Sequence, residues 1–255
     1  MEILDDDRQN EVHDGPALAT LESEGYVFDF GKAFEIGWNI FRENMGGFIG
    51  FFLVALLIIV VSCITIIGPL LIAMPLFAGF LIVGTKIYRK EAYSFNDFFG
   101  GFSRFGPLLG YFLLYMLISM VFVLPMLIPF MNDFSGMMEL AENDRYAFQR
   151  SINDAIMPTF ALSFVVGLFV QVIALFALPL IVIGKLGTTE AIGWAFKIAK
   201  KNFWWLLLYA FVASLVAQTG VIACYIGMFF TLPLAELIKL GAYLQVFGSG
   251  AKNRD

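Results

Sequence analysis

The chain has 255 residues, 60% of them hydrophobic and 15% charged, with a formal net charge of -5 and 29 phenylalanines. Its mean hydropathy is +0.82, and its apolar share lies well above the roughly 45–50% of a soluble globular domain. An acidic, apolar balance excludes a nucleic-acid-binding protein. The single histidine, His13, excludes most hydrolytic mechanisms that need a His base or His ligands.

Much of the acidity lies in the first 30 residues, at Glu2, Asp5, Asp6, Asp7, Glu11, Asp14, Glu22, Glu24 and Asp29. This tail has neither a basic n-region nor an apolar core, so it is not a cleaved signal peptide. Residues 1–27 are expected to form a disordered acidic cytoplasmic tail. A membrane domain follows over 28–248, and 249–255 form a short C-terminal cytoplasmic tail.

From Met45 to Thr85 the chain carries no formal charge over 41 residues. One crossing needs only about 20, so this stretch crosses twice, with Gly68-Pro69 at the reversal. Four more crossings are expected, giving spans at about 46–67, 69–87, 107–129, 158–184, 203–225 and 226–247. The polar stretch 132–157 separates the third from the fourth. The expected fold is therefore all-α: a polytopic integral membrane protein with six transmembrane helices. Cys63 and Cys224 fall late in spans and read as small apolar residues, although a disulfide between them is open in principle.

Amphipathic segments precede three of the spans. Phe30, Phe34, Trp38, Phe41 and Met45 step along one helical face. Phe95, Phe98, Phe99 and Phe102 form a second stripe, with Ser94 as its cap and Asp97 three residues on. Ile192, Phe196, Ala199 and Phe203 form a third, with Glu190, Lys197, Lys200 and Lys201 around it. Such helices lie in the headgroup plane or pack under the bundle as elbows feeding each span.

Basic residues set the orientation. With the N-terminus in the cytoplasm, six crossings leave 13 Lys and Arg inside and only Arg145 and Arg150 outside, while Lys239 lies within a span. This is a strong positive-inside asymmetry, and it places both termini in the cytoplasm.

The first and third amphipathic segments match at a constant shift of 158. Ala33 pairs with Ala191, Phe34 with Ile192, Trp38 with Phe196, Arg42 with Lys200, Asn44 with Asn202 and Pro75 with Pro233. The expected unit is an elbow, a crossing, a glycine reversal and a proline-containing return, repeated over about 31–88 and 189–246. Both copies enter from the same side, so the internal repeat is parallel.

The runs FDFGKAFEIGWNIFRENMGGFIGF and GPLLIAMPLFAGFLIVGTKIYRKEAYSFNDFFGGF, echoed by AIGWAFKIAKKNFWWLLL, resemble a bacterial family of uncharacterised six-helix membrane proteins. They are also similar to the membrane domain found on some glycerophosphodiester phosphodiesterases. The resemblance covers about 28–248 and rests on structural motifs. It implies a bacterial inner-membrane protein and carries over no catalytic residue, since no phosphodiesterase domain accompanies it.

The sequence has no HExxH, GxSxG, Walker or dinucleotide motif, so no catalytic residue, cofactor or metal is expected. The candidate site is intramembrane and polar: Glu236 and Lys239, three apart after Pro233, with Gln171 and Gln218 as further polar groups. A charge inside a span is a functional hypothesis by default. The plainer reading is that Glu236 and Lys239 neutralise each other and that the glutamines bridge helices. The leading expectation is a non-enzymatic protein that moves a small molecule, lipid or peptide. Its alternatives are a structural module that binds another membrane protein or a second copy of itself, and, least favoured, a membrane enzyme.

Overall fold

The computed structural model describes residues 15–65, 67–132, 134–222 and 226–248, and among them every regular element is a helix. In chain order these are α1 (Gly15–Glu24), α2 (Phe30–Glu43), α3 (Met45–Ser62), α4 (Gly68–Tyr88), a 3₁₀ helix (Phe95–Arg104), α5 (Phe105–Asn132), α6 (Phe134–Asn143), α7 (Arg145–Val182), α8 (Thr188–Lys201), α9 (Phe203–Ile222) and α10 (Met228–Phe247). Among the described residues five stretches are long and apolar enough to cross a membrane: Met45–Ser62, Gly68–Tyr88, Phe95–Met120, Phe203–Gly220 and Met228–Phe247. The expected fourth span is represented by a shorter apolar stretch, Val166–Val182, at the end of α7. The chain is thus an all-helical membrane protein.

The chain divides into two units, one of residues up to Gly110 together with those from Gln171 on, the other Tyr111–Val170. The second unit holds most of α5, all of α6 and the first part of α7. There Asp144 caps α7, its Oδ1 accepting the Tyr146 and Ala147 backbone N–H groups at 3.1 and 3.0 Å.

In the first unit, short helices lead into the spans through single-residue breaks. Asp29 caps α2 by accepting the Lys32 N–H at 2.9 Å. The helix then stops at Asn44, whose backbone is non-helical (φ -138°, ψ 48°) and whose Oδ1 accepts the Gly47 N–H at 3.2 Å. That bond starts α3 in a new direction. Asn202 stands at the matching break between α8 and α9 (φ -127°, ψ 35°), but its Nδ2 donates to the Tyr26 carbonyl in the linker after α1 at 2.7 Å. At Asn44 the short amide satisfies a backbone N–H that the start of α3 leaves open.

The hairpin reversal forms as expected. α3 ends at Ser62, and α4 restarts at Gly68 with Pro69 in its first turn, where the missing N–H costs nothing. Cys63, at the turn, is exposed and free rather than buried; Cys224 lies outside the described residues.

Glycines seat helices against one another. A Cβ on Gly37 would overlap the Ile238 backbone, and one on Gly241 would strike the Ala33 carbonyl, so α2 and α10 touch backbone to backbone. Likewise a Cβ on Gly79 would strike the Phe98 carbonyl, and one on Gly101 the Pro75 carbonyl. This lays the 3₁₀ helix along α4. Its ten residues exceed the usual length of a 3₁₀ helix; the close glycine contact and the cap account for the run. As the sequence predicts, Asp97 serves that cap, accepting the Ser94 N–H at 2.7 Å while pairing with Lys86 at 2.9 Å.

The buried face of α2 is Ala33, Gly37, Ile40 and Phe41. The aromatic stripe read from the sequence is only partly that face: Phe41 belongs to it, whereas Trp38 is 40% exposed. Above α4, Phe51 stacks on Phe98 at 4.5 Å between ring centroids and meets Phe80 edge-on at 5.2 Å. Under α10, Tyr209 meets Phe28 and Phe30 edge-on at 5.4 and 5.1 Å and donates its hydroxyl to the Ile238 carbonyl at 2.5 Å. Aromatic pairs of this geometry each add about 0.5–1.5 kcal/mol beyond burial.

The acidic tail differs from expectation where it is described. From Gly15 on it forms α1, with Leu18 buried. The linker after it is pinned: the Tyr26 hydroxyl donates to the Ile198 carbonyl at 3.2 Å, and the Gln245 amide donates to the Val27 carbonyl at 3.0 Å. Burial pushes the Tyr26 phenol well above its ordinary pKa, so it remains a donor. The reason is compositional: Leu18, Tyr26 and Phe28 supply apolar anchors within an otherwise acidic stretch. Residues 1–14 and 249–255 lie outside the described residues.

Candidate functional site

α10 is deeply packed in its C-terminal half, where every residue from Leu240 to Phe247 is buried. Glu236 and Lys239 sit near its middle, eight and eleven residues beyond Met228, or about 12 and 17 Å along the axis at 1.5 Å per residue. The Lys239 Nζ meets the Glu236 Oε1 at 2.8 Å, with side chains 29% and 23% accessible respectively. Leu237, Ile238 and Leu240 beside them are fully buried. The pair therefore lies on the less buried face, in line with Leu232 one turn earlier.

The sequence places four residues in the site, and the structure joins two of them. The Gln171 Oε1 accepts the Ser214 hydroxyl at 3.1 Å, which ties α7 to α9. Gln218 is exposed on α9. Neither glutamine is joined to the ion pair. A further α9–α10 bond runs from the Thr231 hydroxyl to the Ala217 carbonyl at 3.2 Å, where Gly220 lets the Met228 backbone approach. Sequence reading missed Ser214 and Thr231, since a lone hydroxyl in an apolar run carries no signal until its partner helix is known.

Pairing leaves neither side chain alone against hydrocarbon. The pair can exchange one internal contact for a solute carrying the same two charges. Among the described residues no group of three or more His, Cys, Asp or Glu side chains could hold a metal ion. No family model, curated protein or solved structure matches the chain, so the geometry alone bears on function.

Proposed function

We propose that the protein is a non-enzymatic, six-span membrane protein that moves a small charged or zwitterionic solute along the Glu236–Lys239 face of α10. One observation carries this reading. A charged pair in mid-span has about a quarter of its side-chain surface accessible. Against acyl chains a single charge would cost about 3 kcal/mol by insertion scales. Water or a polar solute on that face removes the cost.

Val166–Val182 supplies the sixth crossing, with the 3₁₀ helix lying at the interface ahead of α5. Cytoplasmic termini and an inner-membrane location rest on the asymmetry of basic residues and on the sequence resemblance.

A parallel duplication underlies this arrangement, supported by the burial pattern at the same shift of 158. α2 buries Ala33, Gly37, Ile40 and Phe41, and α8 buries Ala191, Ala195, Ile198 and Ala199. α3 buries Phe48, Phe51, Phe52 and Ala55, and α9 buries Leu206, Tyr209, Ala210 and Ala213. The copies part at the pair: Glu236 and Lys239 stand where the first copy has Ala78 and Leu81. One half thus acts as scaffold and the other carries the polar face.

Leu232→Cys tests this reading without disturbing the pair, on a background with Cys63 and Cys224 replaced by Ser. In proteoliposomes a charged, membrane-impermeant thiol reagent should modify it. Protection in proteoliposomes and in detergent alike would end the transport reading. Protection only in native membranes, with free reaction after purification, would point instead to a protein partner on this face.

A further inference from the structure

α1 and α8 enclose a cleft of about 570 Å3, lined by Glu22, Phe196, Lys197, Lys200 and Lys201. Three ammonium groups face one carboxylate. Glu22 pairs with Lys197 at 3.1 Å, and the same Lys197 ammonium lies 4.6 Å from the centre of the Trp194 ring. Lys200 and Lys201 are exposed, and neither has an ion-pair partner among the described residues. The cleft thus holds two positive charges in excess.

One apolar ring lines it: Phe196, 58% exposed. Trp204 and Trp205, three and four residues beyond Lys201 at the start of the next span, are 78% and 57% exposed. Tryptophan settles at headgroup level, where one part of the ring is wet and the rest is not. A soluble anion would satisfy the lysines and leave these rings in water. A phosphate that carries acyl chains satisfies both.

We propose that this cleft binds the phosphate of an anionic phospholipid, and that Glu22 is the built-in counter-charge which the headgroup displaces from Lys197. The lysines at i, i+3 and i+4 present one face to the phosphate, while Phe196 and the two tryptophans border the chains. α1 is then a strap whose hold on α8 weakens as lipid enters. This site is separate from the Glu236–Lys239 face and stands or falls without it.

The test uses the full chain in nanodiscs of phosphatidylcholine, with Trp38→Phe so that fluorescence reports the region around α8. Brominated phosphatidylglycerol should quench at a mole fraction about 25-fold lower than brominated phosphatidylcholine, given roughly a fivefold gain for each of the two unpaired lysines. Lys200→Gln with Lys201→Gln should abolish most of that preference, and Glu22→Gln should strengthen it. Lys90→Gln with Lys185→Gln should leave it unchanged, with every variant still unfolding cooperatively on heating. Equal quenching by the two lipids would overturn the site. So would an equal loss from the Lys90 and Lys185 control, which would mean diffuse surface attraction. Displacement of the lipid by millimolar inorganic phosphate would overturn it as well, since that would mark a free-anion site.

Discussion

Gly241 on α10 lies directly against the Ala33 carbonyl of α2, with no room between them for even one methyl group. Gly37 makes the reciprocal approach to the Ile238 backbone one turn away. Gly241→Val and Gly37→Val should each destabilise the protein by about 1–3 kcal/mol, the usual cost of overpacking. Gly50→Ala, where a Cβ meets nothing within 4 Å, should be neutral or stabilising by up to about 1 kcal/mol. Thermal unfolding in detergent separates the two groups.

Much of this fold is legible in the sequence, and the reason is the solvent. The uncharged run from Met45 to Thr85 and the Gly68-Pro69 reversal read directly as a hairpin, because hydrocarbon permits little else. The faces of the short helices read less well. Amphipathic logic picks out Trp38 beside Phe41, yet Trp38 stays exposed, since in a bilayer lipid accepts aromatic rings, and the side turned to protein is the one with Ala33 and Gly37. The same limit applies at the site. Glu236 and Lys239 stand out as charges in a span, and their spacing names them as partners. Gln171 bonds Ser214 instead, a contact that depends on how α7 and α9 pack and that no local pattern encodes. Glu22 reads as one acid among many until α1 lays it beside Lys197.

Breaking the ion pair by halves should cost more than removing it whole. Glu236→Leu leaves a lysine without its partner in mid-span, and Lys239→Leu leaves a carboxylate. Each single change should destabilise more than the double change, with a coupling on the order of 1 kcal/mol or above. Glu236→Gln, whose amide oxygen can still accept from the Lys239 ammonium, should cost less stability than Glu236→Leu and, on the transport proposal, abolish transport. A fully functional Glu236→Gln protein would reduce the pair to a packing element.

Lys90 and Lys185 hold left-handed backbone conformations, with φ of 58° and 55°. A residue with a Cβ pays roughly 1–2 kcal/mol there. Lys90→Gly and Lys185→Gly should therefore each raise stability by up to about 1 kcal/mol, less the loss of a cation near a helix C-terminus. Denaturant or thermal titration of the purified protein checks the sign.

Orientation has a direct test on a background with both native cysteines replaced. In intact cells an impermeant thiol reagent should reach Glu142→Cys and leave Lys90→Cys unmodified until the membrane is opened. Labelling in the reverse pattern would invert the topology.

The seat of α2 is built from α10, which the ribosome makes about 200 residues later. At synthesis rates of roughly 5–20 residues per second, the Gly37 surface waits on the order of 10–40 s for the helix it was shaped to fit. During that interval the first hairpin is inserted but unsealed, with backbone grooves at Gly37 open to whatever lipid or insertion factor is at hand. Cooperative closure is therefore the last event of biogenesis, and a nascent chain stalled before Met228 would be a membrane-embedded intermediate, a natural substrate for quality-control proteolysis.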